Sequence, residues 1–238
     1  MNEFVKRATD PSQYDFGDMN WDKDSEIYTP IRQFFYGEIG KRKAKWKGLD
    51  VLDLGCGSGW LLARMKEDGA RTVEGFDPSE RNVQMAAQLY PEIKVHKATL
   101  DSYGPSKQYD LITSVMVFGH IENLDSAFEK IKTMLKDGGE FYLIAHDYDY
   151  NKLPRYDYEV QVKDLTVDSY VTMTKRNQGT ISDIVRRTSL FEDASKRAGL
   201  ELVEDFEMRP TELLIRDSPR YESMRGVVLT HFLRFKKS

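Results

Sequence analysis

The chain has 238 residues, a formal net charge of −4, 40% hydrophobic and 31% charged residues, and a single cysteine. That length buries a real core in one domain, and no stretch has the uninterrupted apolar run needed to cross a bilayer. One cysteine excludes an internal disulfide, the opening residues lack the apolar region of a signal peptide, and a slightly acidic chain has no general attraction for nucleic acid or membrane, so a reducing cytoplasm is the expected compartment.

Residues 1–28 are polar and dotted with Phe4, Tyr14, Phe16, Trp21 and Tyr28, as expected of a lid. Thr29-Pro30 reads as a helix start, with the hydroxyl as N-cap and proline at the first helical position, and Ile31, Phe34, Phe35 and Ile39 following. Lys41–Lys47 (KRKAKWK) falls where that helix ends, and cations there complement the helix dipole. Val51–Trp60 (VLDLGCGSGW) joins a short apolar strand to three glycines at alternate positions, Gly55, Gly57 and Gly59, before a helical pattern resumes at Leu61 and Leu62. Such a turn brings backbone close to a ligand at a helix N-terminus.

Further strands are expected at Thr72–Phe76, Ile93–Lys97, Asp110–Val117 and Phe141–Ala145. Helices follow Pro78-Ser79, run through Leu124, Phe128, Ile131 and Leu135 to Gly138-Gly139, and later carry Leu190, Phe191, Ala194 and Ala198 to Gly199. From Tyr158 to Met173 the alternation suggests half-exposed antiparallel strands, and Leu200–Glu207 and Val227–Phe235 read as two last strands. The expected fold is α/β: a Rossmann-like open sheet, mostly parallel with an antiparallel C-terminal edge, with helices on both faces. Residues 1–47 would form a lid and helix, and 48–238 a core with a substrate-side insertion at about 151–182.

Ligands of such sheets bind beyond the carboxyl ends of the strands. Asp77, twenty positions after Gly57, ends the second strand where a carboxylate can accept bonds from ribose hydroxyls. A dinucleotide fingerprint would need glycine where Trp60 stands, and Asp53 would repel a pyrophosphate. Both features suit a cationic ligand better.

Asp53-Leu54-Gly55-Cys56-Gly57-Ser58-Gly59 resembles the first motif of the class I S-adenosylmethionine-dependent methyltransferases, and Glu74–Glu80 (EGFDPSE) resembles their acidic ribose motif. Lys97–Tyr103 is similar to the adenine-side loop, Gln108–Ile121 to the fourth strand and substrate-facing loop, and Leu135–Ile144 to the end of the core. The likeness is continuous over residues 48–146, and Arg186–Glu207 is similar to the late helix-strand region of the small-molecule branch.

The resemblance implies a Rossmann-like methyltransferase that binds S-adenosyl-L-methionine and releases S-adenosyl-L-homocysteine. The cofactor would lie against Asp53, Gly55, Cys56, Gly57, Gly59, Asp77, Pro78, Ser79, Ser114 and Val115. Ala98 replaces the family's usual acidic residue, leaving the adenine to Asp101 or to backbone near Thr99 and Leu100. Tyr14, Trp21, Tyr28 and Arg32 would close over the methionine end. His120, on the loop bordering the methyl group, is the candidate base or a structural histidine. His146 and Asp147 are the next candidates. Cys56 would contribute a small side chain and a backbone N–H, while His96 and His231 are expected to be structural. No Cys/His cluster points to a metal. The acceptor is expected to be a small molecule methylated on oxygen or nitrogen. An RNA or protein acceptor (drawing on Lys41–Lys47 and Arg186-Arg187), a nicotinamide-dependent oxidoreductase and a non-catalytic cofactor-binding protein are the alternatives.

Overall fold

The computed structural model describes residues 2–14, 25–41, 47–153, 159–176 and 179–238, without the side chains of 25–29 and 176. A seven-stranded sheet has the order β3-β2-β1-β4-β5-β10-β9, formed by β1 (Asp50–Leu54), β2 (Thr72–Asp77), β3 (Lys94–Lys97), β4 (Tyr109–Val115), β5 (Leu135–His146), β9 (Leu200–Met208) and β10 (Thr230–Lys237). Strands β1 to β5 are parallel, and β10 runs antiparallel to both β5 and β9. The expected edge is therefore present in a more specific form, because the last strand inserts between its predecessor and the parallel sheet.

Alternation along the strands builds two cores. Leu52, Ile112, Phe141, Leu143 and Leu233 face α5 (Leu124–Met134) and α6 (Thr188–Ala198) with Phe128, Ile131, Phe191 and Ala194. Val51, Leu111, Tyr142, Ile144 and Phe232 face α2 (Ser25–Gly40), α3 (Trp60–Glu67) and α7 (Glu212–Asp217). Helix α4 (Glu80–Leu89) is capped by Ser79, whose hydroxyl accepts from Asn82 N–H at 3.3 Å. No helix among the described residues is long and apolar enough to cross a membrane.

A second, antiparallel sheet, β6 (Glu159–Thr166), β7 (Ser169–Arg176) and β8 (Gly179–Arg186), realises the alternation read after Tyr158. Short helix α1 (Glu3–Ala8) buries Val5 and Ala8 against Val171 and Ile184 of this sheet.

Several boundaries differ from the sequence reading. Helix α2 begins at Ser25, so Pro30 lies inside it and Thr29 is not its cap; one missing backbone bond near the helix start is outweighed by the burial of Phe34 and Ile39. Helix α5 stops at Met134, and Gly138-Gly139 lie within β5. A Cβ on Gly139 would come within 2.8 Å of the Lys136 carbonyl oxygen, so the glycine serves a close backbone approach instead of a helix stop. Strand β4 ends at Val115 because Met116 adopts φ +60°, a left-handed conformation costly for a side chain of this kind.

Candidate functional site

The sheet order reverses between β1 and β4, and beyond the carboxyl ends of these strands lies a cavity of about 1430 Å³. One wall begins with the glycine turn. Gly55 (φ +65°) packs so tightly on Val117 that a Cβ would meet its methyl carbon at 2.5 Å, whereas a Cβ on Gly57 (φ +55°) would point into open space. Asp77 ties this turn to the next. Its Oδ2 accepts from Gly57 N–H at 2.9 Å, and its Oδ1 accepts from Ser79 N–H and Asn82 Nδ2 at 3.0 Å each. Phe76, Pro78, Ser79, Thr99, Leu100, Asp101 and Val115 complete the wall. Thr99 and Ser102 close their own turn, with Thr99 N–H donating to Ser102 Oγ at 2.9 Å and Ser102 N–H to Thr99 Oγ1 at 3.2 Å.

Other expected residues stand behind this wall. Asp53 is buried and accepts from Thr113 Oγ1 at 2.6 Å; burial, reinforced by the charge of Asp77, pushes its carboxyl up to about 7. Cys56 turns its thiol into a cluster with Leu62, Ala63 and Ile93, and its N–H donates to the Phe76 carbonyl at 3.1 Å. The cavity therefore receives neither its sulfur nor its N–H, and burial raises the thiol well above its usual range. Gly59 caps α3 and faces Ala86, Tyr90 and Val95, and the Ser114 hydroxyl is buried below the surface of the wall.

The opposite wall comes from distant parts of the chain. Tyr14 hydroxyl lies 2.5 Å from His120 Nε2, and the Ala8 carbonyl lies 3.0 Å from His120 Nδ1. Buried Gln13 lies in the 3-10 turn Pro11–Tyr14; its Nε2 donates to the same Ala8 carbonyl at 2.9 Å and its Oε1 accepts from Ser182 N–H at 2.8 Å. Tyr14 thus engages the candidate base. Arg32, His146, Tyr150, Ile181, Asp183 and the segment Pro219–Met224 also line this side. Trp21 lies outside the described residues, as does the side chain of Tyr28.

Asp147 is not at the cavity. Its Oδ1 accepts from the backbone of Asp149 and Tyr150 at 3.0 and 2.7 Å, and its Oδ2 lies 3.1 Å from His231 Nε2. Burial works against charge on His231, but Asp147 and Asp205 prevail and raise it to about 9. His96 pairs with Glu74 at 2.7 Å. Arg186 is buried and donates to the carbonyls of Phe118 (2.9 Å), Ile121 (2.6 Å) and Glu122 (3.1 Å), which removes it from any basic surface patch. Of the basic cluster at 41–47, residues 42–46 lie outside the described part; Lys41 pairs with Glu38 at 2.5 Å. Among the described residues no group of three His, Cys, Asp or Glu side chains is arranged to hold a metal ion.

Sequence reasoning missed Asn82, Gln13, Asp183 and Pro219–Met224. Asn82 had a local signal, since it lies in the first turn of the helix that Ser79 opens. The others meet the site only through the tertiary fold.

A methyltransferase-domain profile matches residues 23–205. The chain belongs to the methyltransferase-domain family. Among its relatives, the tRNA U34 carboxymethyltransferase of Pseudoalteromonas translucida is 35% identical over 102 residues, covering 41% of this chain and 32% of that protein. The ubiquinone biosynthesis O-methyltransferase of Salmonella arizonae is 29% identical over 134 residues, covering 51% and 53%. The chain thus spans about a third to a half of the length of these curated relatives. In fold it is similar to an S-adenosylmethionine-dependent methyltransferase from Mesorhizobium loti, with TM-score 0.65 and 22% identity over 81% of this chain and 93% of that one. It is likewise similar to the S-adenosylmethionine-bound amino pentose methyltransferase CalS10 of Micromonospora echinaspora, with TM-score 0.59 and 12% identity over 89% and 96% of the two chains.

Proposed function

We propose that the chain is an S-adenosylmethionine-dependent methyltransferase acting on an oxygen or nitrogen atom of a small molecule. The carrying observation is one continuous cavity with the Gly55–Gly57–Asp77 wall on one side and Tyr14, His120 and His146 on the other. Its volume of about 1430 Å³ exceeds the roughly 300–1,000 Å³ of an ordinary ligand site and leaves room for a cofactor and an acceptor together.

The residues present fit the cofactor. Gly57 leaves open space where any other side chain would intrude, Asp77 fixes the turn, and the buried carboxyl of Asp53 behind it favours a nearby positive charge. Gly55, Gly57, Asp77, Pro78, Ser79, Thr99, Leu100, Asp101 and Val115 would hold it. When bound, the cofactor supplies an activated methyl group on a sulfonium. The chain's own contribution is to orient the acceptor, exclude water and remove a proton where the acceptor carries one. With Nδ1–H donating to the Ala8 carbonyl, His120 would take that proton on Nε2, the nitrogen that the Tyr14 hydroxyl contacts. His146 stands beside it, and Arg32 borders the same space.

A small acceptor is favoured because Thr9, Pro11 and Tyr14 of the N-terminal segment, Ile181 and Asp183 of the second sheet, and Pro219–Met224 all line the cavity. The segment through residue 47 and the insertion at about 151–182 are accordingly the parts that shape acceptor choice. Titration with S-adenosylmethionine and with NADH, followed by incubation of protein and labelled cofactor with a metabolite extract, tests this reading. Label is expected in a small compound identified by mass. Binding of NADH alone, or label found only in RNA or protein, overturns it.

A further inference from the structure

We propose that Asp183 is the positioning residue of the acceptor wall, holding His120 and His146 at the cavity. The proposal rests on the reading of His120 as the group that takes the acceptor's proton. Asp183 lies in the middle of β8, opposite Thr172 of β7, and its side chain faces the cavity. Its Oδ1 is 3.3 Å from His120 Nε2 and 3.8 Å from His146 Nε2. One carboxylate oxygen thus lies within ion-pair distance of two imidazoles, one in the turn after β4 and one at the end of β5.

The approach is built into the backbone. A Cβ on Gly119 would meet Asp183 Oδ1 at 2.8 Å and its Cβ at 3.1 Å. Gly119 has no left-handed φ, so what the glycine provides here is closeness to Asp183, not an unusual turn. Three positions along β8, Arg186 grips the carbonyls of Phe118, Ile121 and Glu122, on both sides of His120. Strand β8 therefore holds the His120 turn at two points, one by its backbone and one through the imidazole.

The groups around the ring define its chemistry. From α1 and the following 3-10 turn come the Ala8 carbonyl at Nδ1, the uncharged Gln13 amide 3.3 Å from Nδ1, and the Tyr14 hydroxyl at Nε2. From β8 come the Asp183 carboxylate at Nε2 and the Arg186 guanidinium, whose charge on the turn carbonyls opposes a second cation. From β5, His146 shares the same carboxylate oxygen, and its Nδ1 is buried without a hydrogen-bond partner. Oxygen atoms thus flank both nitrogens of His120, and one of them belongs to a carboxylate, an arrangement that fixes the plane of the ring. Without Asp183 the ring would lose one of the contacts that hold Nε2 in place.

The test is nitrogen NMR of the full chain labelled at its four histidines, with signals assigned through single His→Gln variants. In Asp183→Asn, which keeps the side-chain shape, the ring-nitrogen signals of His120 and His146 are expected to shift at fixed pH as both imidazoles lose a contact that orients them. Those of His96 and His231 should stay as in the parent protein. Gly119→Ala, which leaves residue 183 unchanged but pushes its side chain away, should shift the His120 signals as well. His120 signals unchanged in both variants overturn the proposal, as do ones that shift together with those of His96 and His231. Binding of S-adenosylmethionine is measured in parallel: its absence from the parent protein would sink the methyltransferase reading while leaving the histidine result to stand or fall by itself.

Discussion

The two walls of the cavity are made in opposite ways. On the side proposed for the cofactor, bonds run between residues close in sequence: Gly57 to Asp77 spans 20 positions and Thr99 to Ser102 only three. On the side proposed for the acceptor, Tyr14 reaches His120 across 106 positions and Gln13 reaches Ser182 across 169. The first wall is largely backbone and glycine, with Asp77 as its fixed point. The second is side chains brought together by two sheets and an N-terminal segment. A wall of the first kind suits a ligand that never changes, and a wall of the second kind can be rebuilt for a new acceptor without disturbing the other.

The sharpest way to break this division is to disable each wall separately. His120→Gln is expected to lower kcat by roughly 10²–10⁴-fold while cofactor affinity stays within about twofold, measured on the acceptor that the extract experiment identifies. A comparable loss of cofactor affinity would mean the walls are not separable. Asp77→Ala should do the reverse. Removing three hydrogen bonds to one carboxylate is expected to weaken S-adenosylmethionine binding about 100-fold by calorimetry. An affinity within threefold of the parent protein would refute that role.

A third substitution marks what belongs to neither wall. His231 binds its proton more tightly in the fold, at about 9 against an ordinary 6.5, so its stabilising pairing with Asp147 and Asp205 is complete below about pH 6.5 and lost as pH rises through 9. His231→Gln should therefore cost about 2 kcal/mol in urea unfolding at pH 6, allowing for solvent at the half-exposed Asp205, and much less at pH 10. An equal cost at both pH values would contradict the pairing. The smallest expected effect lies behind the cofactor wall. Because burial holds Asp53 near 7, part of it is protonated at pH 6.5, and a bound cation should drive that proton off. Calorimetry in two buffers of different ionisation enthalpy should show a fraction of a proton released on binding S-adenosylmethionine, and none in Asp53→Asn.

What was legible in the sequence follows the same division. The order of β1 to β5, the Ser79 cap and the Gly55–Asp77 wall depend on short-range patterns of apolar, glycine and capping residues, and these were readable. Asp53, Cys56 and Gly59 carry the motif as strongly as Gly57 does, yet they support the wall from behind, because a motif does not record which way each residue of a tight turn points. His120 and His146 line the cavity, as their place after strands suggests. Asp147 has the same placement but is drawn into a bridge with β10, a strand 84 residues later. Asp183 and Gln13 had no local signal: each matters only because β8 folds back beneath α1.

That folding back has a consequence for solubility. Strand β8 is an outer strand of its sheet, and an uncovered row of backbone donors there is a template on which other chains can add. The Gln13 side chain, accepting from Ser182 N–H, takes the place of a neighbouring strand at that point, while Val5 and Ala8 shield Val171 and Ile184. Removing residues 1–14 would thus leave an open sheet edge beside newly bared apolar surface, and protein so trimmed would tend to self-associate.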